Sequence, residues 1–234
     1  MGMSVTTVLR TPDFEVDCIV SDTQWRQNCY LVSHRHSKEL ILIDPGGCPD
    51  DIIPLIHEAG VGVRRILITH PHHDHIGGAA EVSDYFKVPC ELHKADMRLL
   101  KQAPMYAMMF AGKALSIPDS LVVFDEESFC MSERFPLQVL HTPGHTKGSV
   151  CYLLDGCVFT GDTILCRHVG RTDLPGSNSE DLSLSVEKIL NGLADAITLL
   201  PGHGAPWTVG EARAWWHESR NKPPAHTSFV DRLS

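Results

Sequence analysis

Between Thr69 and His75, in the order Thr69-His70-Pro71-His72-His73-Asp74-His75, four imidazoles and one carboxylate fall within seven residues. Imidazole nitrogen together with carboxylate oxygen is a donor set for zinc, iron or manganese. Side chains alternating along a turning loop can reach one or two ions from a short length of backbone. The spacing is His70-x-His72-x-Asp74-His75, and His73 stands at a position the pattern does not use. A low-complexity histidine tract would lack the punctuation on either side of this one. Ahead of it Arg65-Ile66-Leu67-Ile68 reads as a short buried strand, and behind it Ile76-Gly77-Gly78-Ala79-Ala80 supplies small residues suited to starting a helix. The cluster is therefore expected at a strand end, where α/β proteins place their ligands.

Three more apolar runs finish on groups of the same kind. Pro136–Leu140 leads through His141 into Thr142-Pro143-Gly144-His145-Thr146, Cys157–Thr160 ends in Gly161-Asp162-Thr163, and Ala196–Leu200 ends in Pro201-Gly202-His203-Gly204. From His75 onward the successive intervals are 70, 17 and 41 residues, each long enough to bring the chain back to one edge. Unrelated surface histidines would not fall repeatedly at strand ends beside glycine. A sheet that presents ligands along one edge needs this arrangement.

The elements that must hold these groups alternate in type. Phe14–Val20, Asn28–Val32 and Glu39–Asp44 read as an antiparallel start. Pro49–Ala59 carries helical spacing despite Pro54, with Asp50 and Asp51 near its amino terminus and Gly60 as its stop. After the histidine loop come a helix over Ala79–Phe86, a strand over Val88–Leu92 and a helix over Lys94–Gln102, an α/β alternation. Pro104–Lys113 crowds methionine and aromatic residues without clear punctuation, as either pocket wall or core. Leu121–Phe124 is a further strand, and Asp155-Gly156 joins Val150–Leu154 to Cys157–Thr160 as a hairpin. A helix is expected over Asp181–Leu193.

At 234 residues the chain fits one larger domain, spanning 1–234, with a short helical tail from about Ala205. Hydrophobic content of 43% and charged content of 21% are those of a globular protein. A formal net charge of −9 argues against nucleic acid as a partner, which needs a basic surface. No apolar run reaches the roughly 18 residues of a membrane span, and the amino terminus lacks the apolar core of a signal peptide, so a cytoplasmic protein without a membrane partner is expected. The eight cysteines form no Cys-x-x-Cys pair and sit among apolar or small neighbours, which predicts reduced, buried thiols. Cys166 stands apart, four residues after Asp162.

Taken together, His70-x-His72-x-Asp74-His75, the Thr-Pro-Gly-His-Thr run ending around His145, Gly161-Asp162-Thr163 and Gly202-His203-Gly204 resemble the metallo-β-lactamase fold superfamily. Within it the chain is similar to short glyoxalase II type hydrolases, and the likeness spans nearly its whole length. The resemblance implies an α+β fold, a four-layer αββα sandwich of two face-to-face sheets with helices outside. It further implies that His70, His72 and His145 hold a first metal ion, that Asp74, His75 and His203 hold a second, and that Asp162 bridges them. Two divalent ions are expected, zinc foremost, with iron and manganese accepted by the same donors. A water or hydroxide between them would be the nucleophile, with Asp162 and Asp74 as the catalytic carboxylates and Asp74 helping to orient that water.

The reaction this implies is hydrolysis of a small-molecule thioester, S-lactoylglutathione being one candidate. Full-length glyoxalase II carries a carboxy-terminal domain for glutathione, whereas about thirty residues follow His203 here, including Arg213, Trp215, Trp216, Arg220 and Lys222. A helix docked through its tryptophans is expected there. The loop Gly170-Arg171-Thr172-Asp173 resembles one shared with persulfide dioxygenases, which use a single iron on the equivalents of His70, His145 and Asp162; oxidation of glutathione persulfide is thus the alternative activity. Leu174-Pro175-Gly176 follows the hydrolases. Arg171 and Asp173 are expected either to fix Asp162 or a nearby histidine from behind, or to pair with each other on the surface.

Overall fold

The computed structural model describes residues 5–47, 49–129 and 133–221, with the side chain of Asn221 left aside. In chain order its elements are β1 (Val5–Arg10), β2 (Phe14–Val20), β3 (Asn28–His34), β4 (Glu39–Ile43), α1 (Pro49–Ala59), β5 (Gly62–Leu67), α2 (His73–Ile76), α3 (Ala79–Phe86), β6 (Cys90–His93), α4 (Met97–Ala111), β7 (Leu121–Phe124), β8 (Gln138–His141), β9 (Val150–Leu154), β10 (Cys157–Gly161), β11 (Ile164–Leu165), β12 (His168–Val169), α5 (Ser179–Gly192), β13 (Thr198–Pro201), β14 (Trp207–Thr208) and α6 (Val209–Asn221). Seven strands, β1 to β7 in sequence order, form the first sheet, antiparallel as far as β4 and parallel from there to β7. The second sheet has the order β14-β13-β10-β9-β8, with β10 and β13 parallel and its other pairs antiparallel.

Alternation along the strands builds the layers, because successive side chains leave a strand on opposite faces. In β4, Ile41 and Ile43 point between the sheets while Leu40 and Leu42 meet the helices. In β9, Val150, Tyr152 and Leu154 point inward, and Cys151 and Leu153 meet the other helix layer. Three hydrophobic clusters result. The central one joins Val16, Tyr30, Val32 and Ile41 of the first sheet to Tyr152, Phe159 and Leu200 of the second. A second packs the outer face of the first sheet against Ile52 and Ile56 of α1, Ala79 and Val82 of α3, and Leu100 and Ala103 of α4. The third packs the outer face of the second sheet against Leu182, Val186 and Ile189 of α5 and Ala212 of α6. This is the expected four-layer αββα sandwich.

Several local expectations change. Pro104–Lys113 is not an unpunctuated stretch, because α4 continues through Pro104 to Ala111, where Gly112 in the left-handed region donates its N–H to the Met108 carbonyl. Small residues explain the helix's fit: Leu100, Ala103 and Ala107 form its buried stripe and leave Met105, Met108 and Met109 exposed. Strand β1, an edge added by pairing with β2, lies ahead of the first strand the sequence pattern predicts. In the tail, β14 and α6 dock through Trp207, Trp215 and Trp216; Lys222 lies outside the described residues. Six cysteines are free thiols, five of them buried and Cys166 partly so, whereas Cys48 and Cys130 lie outside the described residues. Among the described residues no helix is long and apolar enough to cross a membrane.

Candidate metal centre

Four loops leave the same edge of the sandwich: the one after β5 with His70, the one after β8 with His145, the turn after β10 with Asp162, and the turn after β13 with His203. Bonds between the two sheets fix that edge. The Val150 N–H donates to the Thr69 carbonyl at 3.0 Å, and the Tyr152 hydroxyl donates to the Ile68 carbonyl at 2.9 Å. On the other side the Tyr30 hydroxyl and the Asn28 side-chain amide donate to the Pro201 carbonyl at 2.6 and 2.9 Å. Gly202 is required by close approach, since a Cβ there would lie 2.4 Å from Asp162 Oδ1 and 2.6 Å from His75 Cε1.

The side chains converge as two triads. His145 Nε2 stands 2.9 Å from His72 Nδ1 and 3.2 Å from His70 Nε2. His203 Nε2 stands 3.3 Å from both His75 Nε2 and Asp74 Oδ2. Asp162 lies between them, with Oδ2 3.5 Å from His145 Nε2 and Oδ1 3.4 Å from His75 Nε2 and 3.7 Å from His203 Nε2. The donor atoms of His70, His72 and His145 all lie within 4.8 Å of one another, as do those of Asp74, His75 and His203.

The outward nitrogens decide what this convergence means. The Nδ1–H of His145 faces the Arg171 carbonyl at 2.8 Å, that of His203 the Trp25 carbonyl at 2.8 Å, and that of His75 Asp44 Oδ2 at 2.9 Å. The Thr69 hydroxyl spends its hydrogen on Asp44 Oδ2 at 2.6 Å and so accepts from His70 Nδ1 at 3.1 Å. With these hydrogens committed outward, four Nε2 lone pairs point inward at one another, and Asp162 Oδ1 is buried without a hydrogen-bond partner. Lone pairs facing each other at about 3 Å repel unless cations sit among them, and imidazoles that ligate metals characteristically give their other N–H to a carbonyl or carboxylate. The residues fit two divalent ions.

Electrostatics agree. Burial pushes His70 and His145 below the usual imidazole range and His72 down to about 3, which leaves them neutral and able to donate. Burial acts the same way on His75 and His203, but Asp162 outweighs it, aided by Asp44 at His75 and by Asp74 at His203, and both rings are raised. Carboxylates that would hold a proton on those rings would equally hold a cation. Burial would raise Asp74 and Asp162, yet the facing histidines outweigh it and keep both carboxylates low.

The structure thus brings His70, His72, Asp74, His75, His145, Asp162 and His203 together. Arg171 and Asp173 take the second of their two expected places. The Arg171 guanidinium makes a two-pronged pair with Asp173 at 2.6 and 2.7 Å on the exposed surface, and only the Arg171 carbonyl reaches the centre. His73 does not join a triad; its ring packs edge-on against Trp25 at 5.3 Å in the wall of the cleft. Asp44 escaped notice as a functional residue. The signal was present, because β4 is another apolar strand that runs directly into a carboxylate, followed by Pro45-Gly46. The carbonyls of Trp25 and Arg171 leave no mark in side-chain identity.

The centre opens into a small cleft, about 110 Å³ to a water-sized probe. Trp25, Leu99, Tyr106, Phe110, Leu174 and Pro175 make its walls apolar. Residues 22–203 match the family model described as the Metallo-beta-lactamase superfamily. The chain belongs to the metallo-β-lactamase superfamily. Within that superfamily it is 31% identical over 201 residues to hydroxyacylglutathione hydrolase GloC of Haemophilus influenzae, covering 83% of this chain and 93% of that protein. It is also similar to the crystal structure of TTHA1623 in a di-iron-bound form, with 32% identity, a TM-score of 0.74, and 87% and 98% of the two chains covered. The BLEG-1 B3 metallo-β-lactamase matches at 30% identity and a TM-score of 0.75 over 84% and 95% of the two chains. Metal-dependent hydrolysis is the chemistry typical of the superfamily.

Proposed function

We propose that this member of the superfamily is a binuclear metal-dependent hydrolase of thioesters with an apolar body. The observation that carries the binuclear reading is Asp162, whose two oxygens face different triads while Oδ1 has no hydrogen-bond partner. His70, His72 and His145 would hold one ion and Asp74, His75 and His203 the other, with Asp162 shared. Zinc, iron and manganese all suit these donors. The ions would supply a Lewis acid for the carbonyl oxygen and a water acidic enough to attack at neutral pH. Asp74, kept ionised by His203 and His75, remains an acceptor that can orient that water. A single-iron persulfide oxidation would leave Asp74, His75 and His203 without an ion, although Asp44 and the Trp25 carbonyl already orient His75 and His203.

The leaving group and the cleft support a thioester. A thiol ordinarily titrates near ~8.5, so a thiolate departs without a dedicated general acid. Arg171 borders the cleft, but its guanidinium is paired with Asp173 on the surface, which weakens the case for an anionic peptide-like thiol and favours an apolar acyl group. The similarity to GloC supports the reaction class. The test compares S-lactoylglutathione with the phenylacetyl thioester of N-acetylcysteamine, following thiol release, in the wild type and Phe110→Ala. Both thioesters are cleaved, with higher kcat/KM for the phenylacetyl compound. Phe110→Ala raises its KM about 5-fold with kcat unchanged, as expected when a half-exposed aromatic contact is lost. Oxygen uptake on glutathione persulfide with no thioester cleavage would overturn the reading.

A further inference from the structure

A second set of metal-competent side chains lies outside this centre. His93 is the last residue of β6, Glu126 lies two residues beyond β7, and His141 is the last residue of β8. Strand β7 is the edge of the seven-stranded sheet and β8 the edge of the five-stranded sheet, so the three side chains meet across the open side of the sandwich. One ligand atom from each lies within 4.8 Å of the other two.

Hydrogen-bond accounting mirrors that of the main centre. His141 Nε2–H donates to the Lys147 carbonyl at 2.9 Å, which fixes the tautomer and leaves the Nδ1 lone pair 2.9 Å from Glu126 Oε1. Either a proton on Nδ1 or a cation shared by the two groups completes that contact. His93 supplies an independent observation: it is 2% exposed, and neither ring nitrogen has a hydrogen-bond partner, while Nε2 stands 3.5 Å from Glu126 Oε2. A fully buried imidazole in that condition costs free energy unless something completes it. Burial, reinforced by His141, lowers the proton affinity of His93 and disfavours the imidazolium as the remedy. The rings of His93 and His141 stack at 4.3 Å, an arrangement two imidazolium ions would oppose. Of the ammonium groups at this corner, Lys94 is engaged by Asp125 and Lys188 by the His141 carbonyl at 3.0 Å.

We propose that His93, Glu126 and His141 form a further divalent-cation site, separate from the binuclear centre. Two nitrogens and one carboxylate oxygen suit zinc, and nickel, cobalt and copper by the same donor chemistry. In a tetrahedral site with ordinary ligand lengths, nitrogen and oxygen stand about 3.4 Å apart. At Glu126 a different oxygen faces each ring, Oε1 at 2.9 Å from His141 Nδ1 and Oε2 at 3.5 Å from His93 Nε2, on either side of that value. Solvent at the half-exposed Glu126 side completes the coordination. Such an ion would staple the two sheet edges and, through the Lys147 carbonyl, steady the loop that carries His145.

The test is equilibrium dialysis of the apoprotein against Zn²⁺, comparing the wild type with Glu126→Gln and His141→Ala, with folding checked by circular dichroism. Wild type binds one more zinc per chain than either variant, or the variants hold that ion more than about 10-fold more weakly, the least expected even for losing a partner of a ligand. Zinc also raises the melting temperature of Glu126→Gln less than that of wild type. The quantity read is a difference between chains, so it does not depend on how many ions the main centre holds. Equal zinc counts, affinities and melting shifts in all three chains would overturn the proposal. Glu126 is half-exposed, so its variant isolates the site from any folding defect of His141→Ala.

Discussion

The Nδ1–H of His75 donates to Asp44 Oδ2 across 2.9 Å, and the same oxygen accepts the Thr69 hydroxyl at 2.6 Å. Because Thr69 in turn accepts from His70, one buried carboxylate orients a ring in each triad. Its other oxygen takes the Thr69 N–H at 2.7 Å, and the backbone at Asp44 is held at a φ of 51° to make this reach.

Asp44→Asn keeps the size of the side chain but cannot accept from every donor that converges on it. Zinc affinity of the main centre is expected to fall by about 10- to 100-fold, the range for losing a partner behind a metal-ligating histidine. Competition dialysis against a chelator measures it. An unchanged affinity would mean that Asp44 only supports the loop.

Gly202→Ala forces a methyl group toward Asp162 Oδ1 and His75 Cε1. Displacing these groups by even about 1 Å is expected to cost about 100-fold in thioesterase kcat/KM, with far-ultraviolet circular dichroism retained. Activity within about 3-fold of wild type would contradict the close packing on which the centre depends.

Asp96 lies buried beneath the loop that carries His145. It accepts from the Thr146 hydroxyl at 2.6 Å and the Gly148 N–H at 2.8 Å. Burial outweighs those bonds and pushes its carboxyl up to about 6. An unfolded aspartate titrates near ~4, so the folded chain binds the extra proton between about pH 4 and 6. Stability from this residue is therefore lost as pH rises through that window and stays level above it, by up to about 3 kcal/mol. Asp96→Asn removes the slope, so its stability relative to wild type climbs between pH 4 and 7 in denaturant titrations. A constant difference across that range would refute the assignment.

Burial pushes Cys18, Cys90 and Cys157 up to about 12 and Cys151 up to about 11. These thiols are protonated and inaccessible at pH 8. Cys166 is the most exposed of the six described cysteines. Brief iodoacetamide treatment at pH 8, read by peptide mass spectrometry, is expected to label Cys166 first among those six, and equal labelling of Cys18 would contradict the packing of the central core.

Much of the centre was legible because its donors are chemically distinctive and sit where apolar runs stop. His70, His145, Asp162 and His203 could be located by that rule alone. The rule also applied to Asp44, but a lone carboxylate before Pro-Gly is as much a turn residue as a partner for histidine. The carbonyls behind His145 and His203 belong to Arg171 and Trp25, whose side chains say nothing about their backbones. Pro104 and the run of methionines obscure the alanine-lined stripe that carries α4 past Gln102 to Ala111. The His93–Glu126–His141 cluster was hidden for another reason. Its members come from the edges of two different sheets, and no local spacing joins them.

The binuclear thioesterase reading is tested most directly by adding zinc stepwise to the Glu126→Gln apoprotein while following thioester cleavage. Two ions per chain in the main centre, with activity rising as the second binds, is the predicted result. Saturation at one ion per chain, or full activity with one, would contradict the two-ion centre built on Asp162.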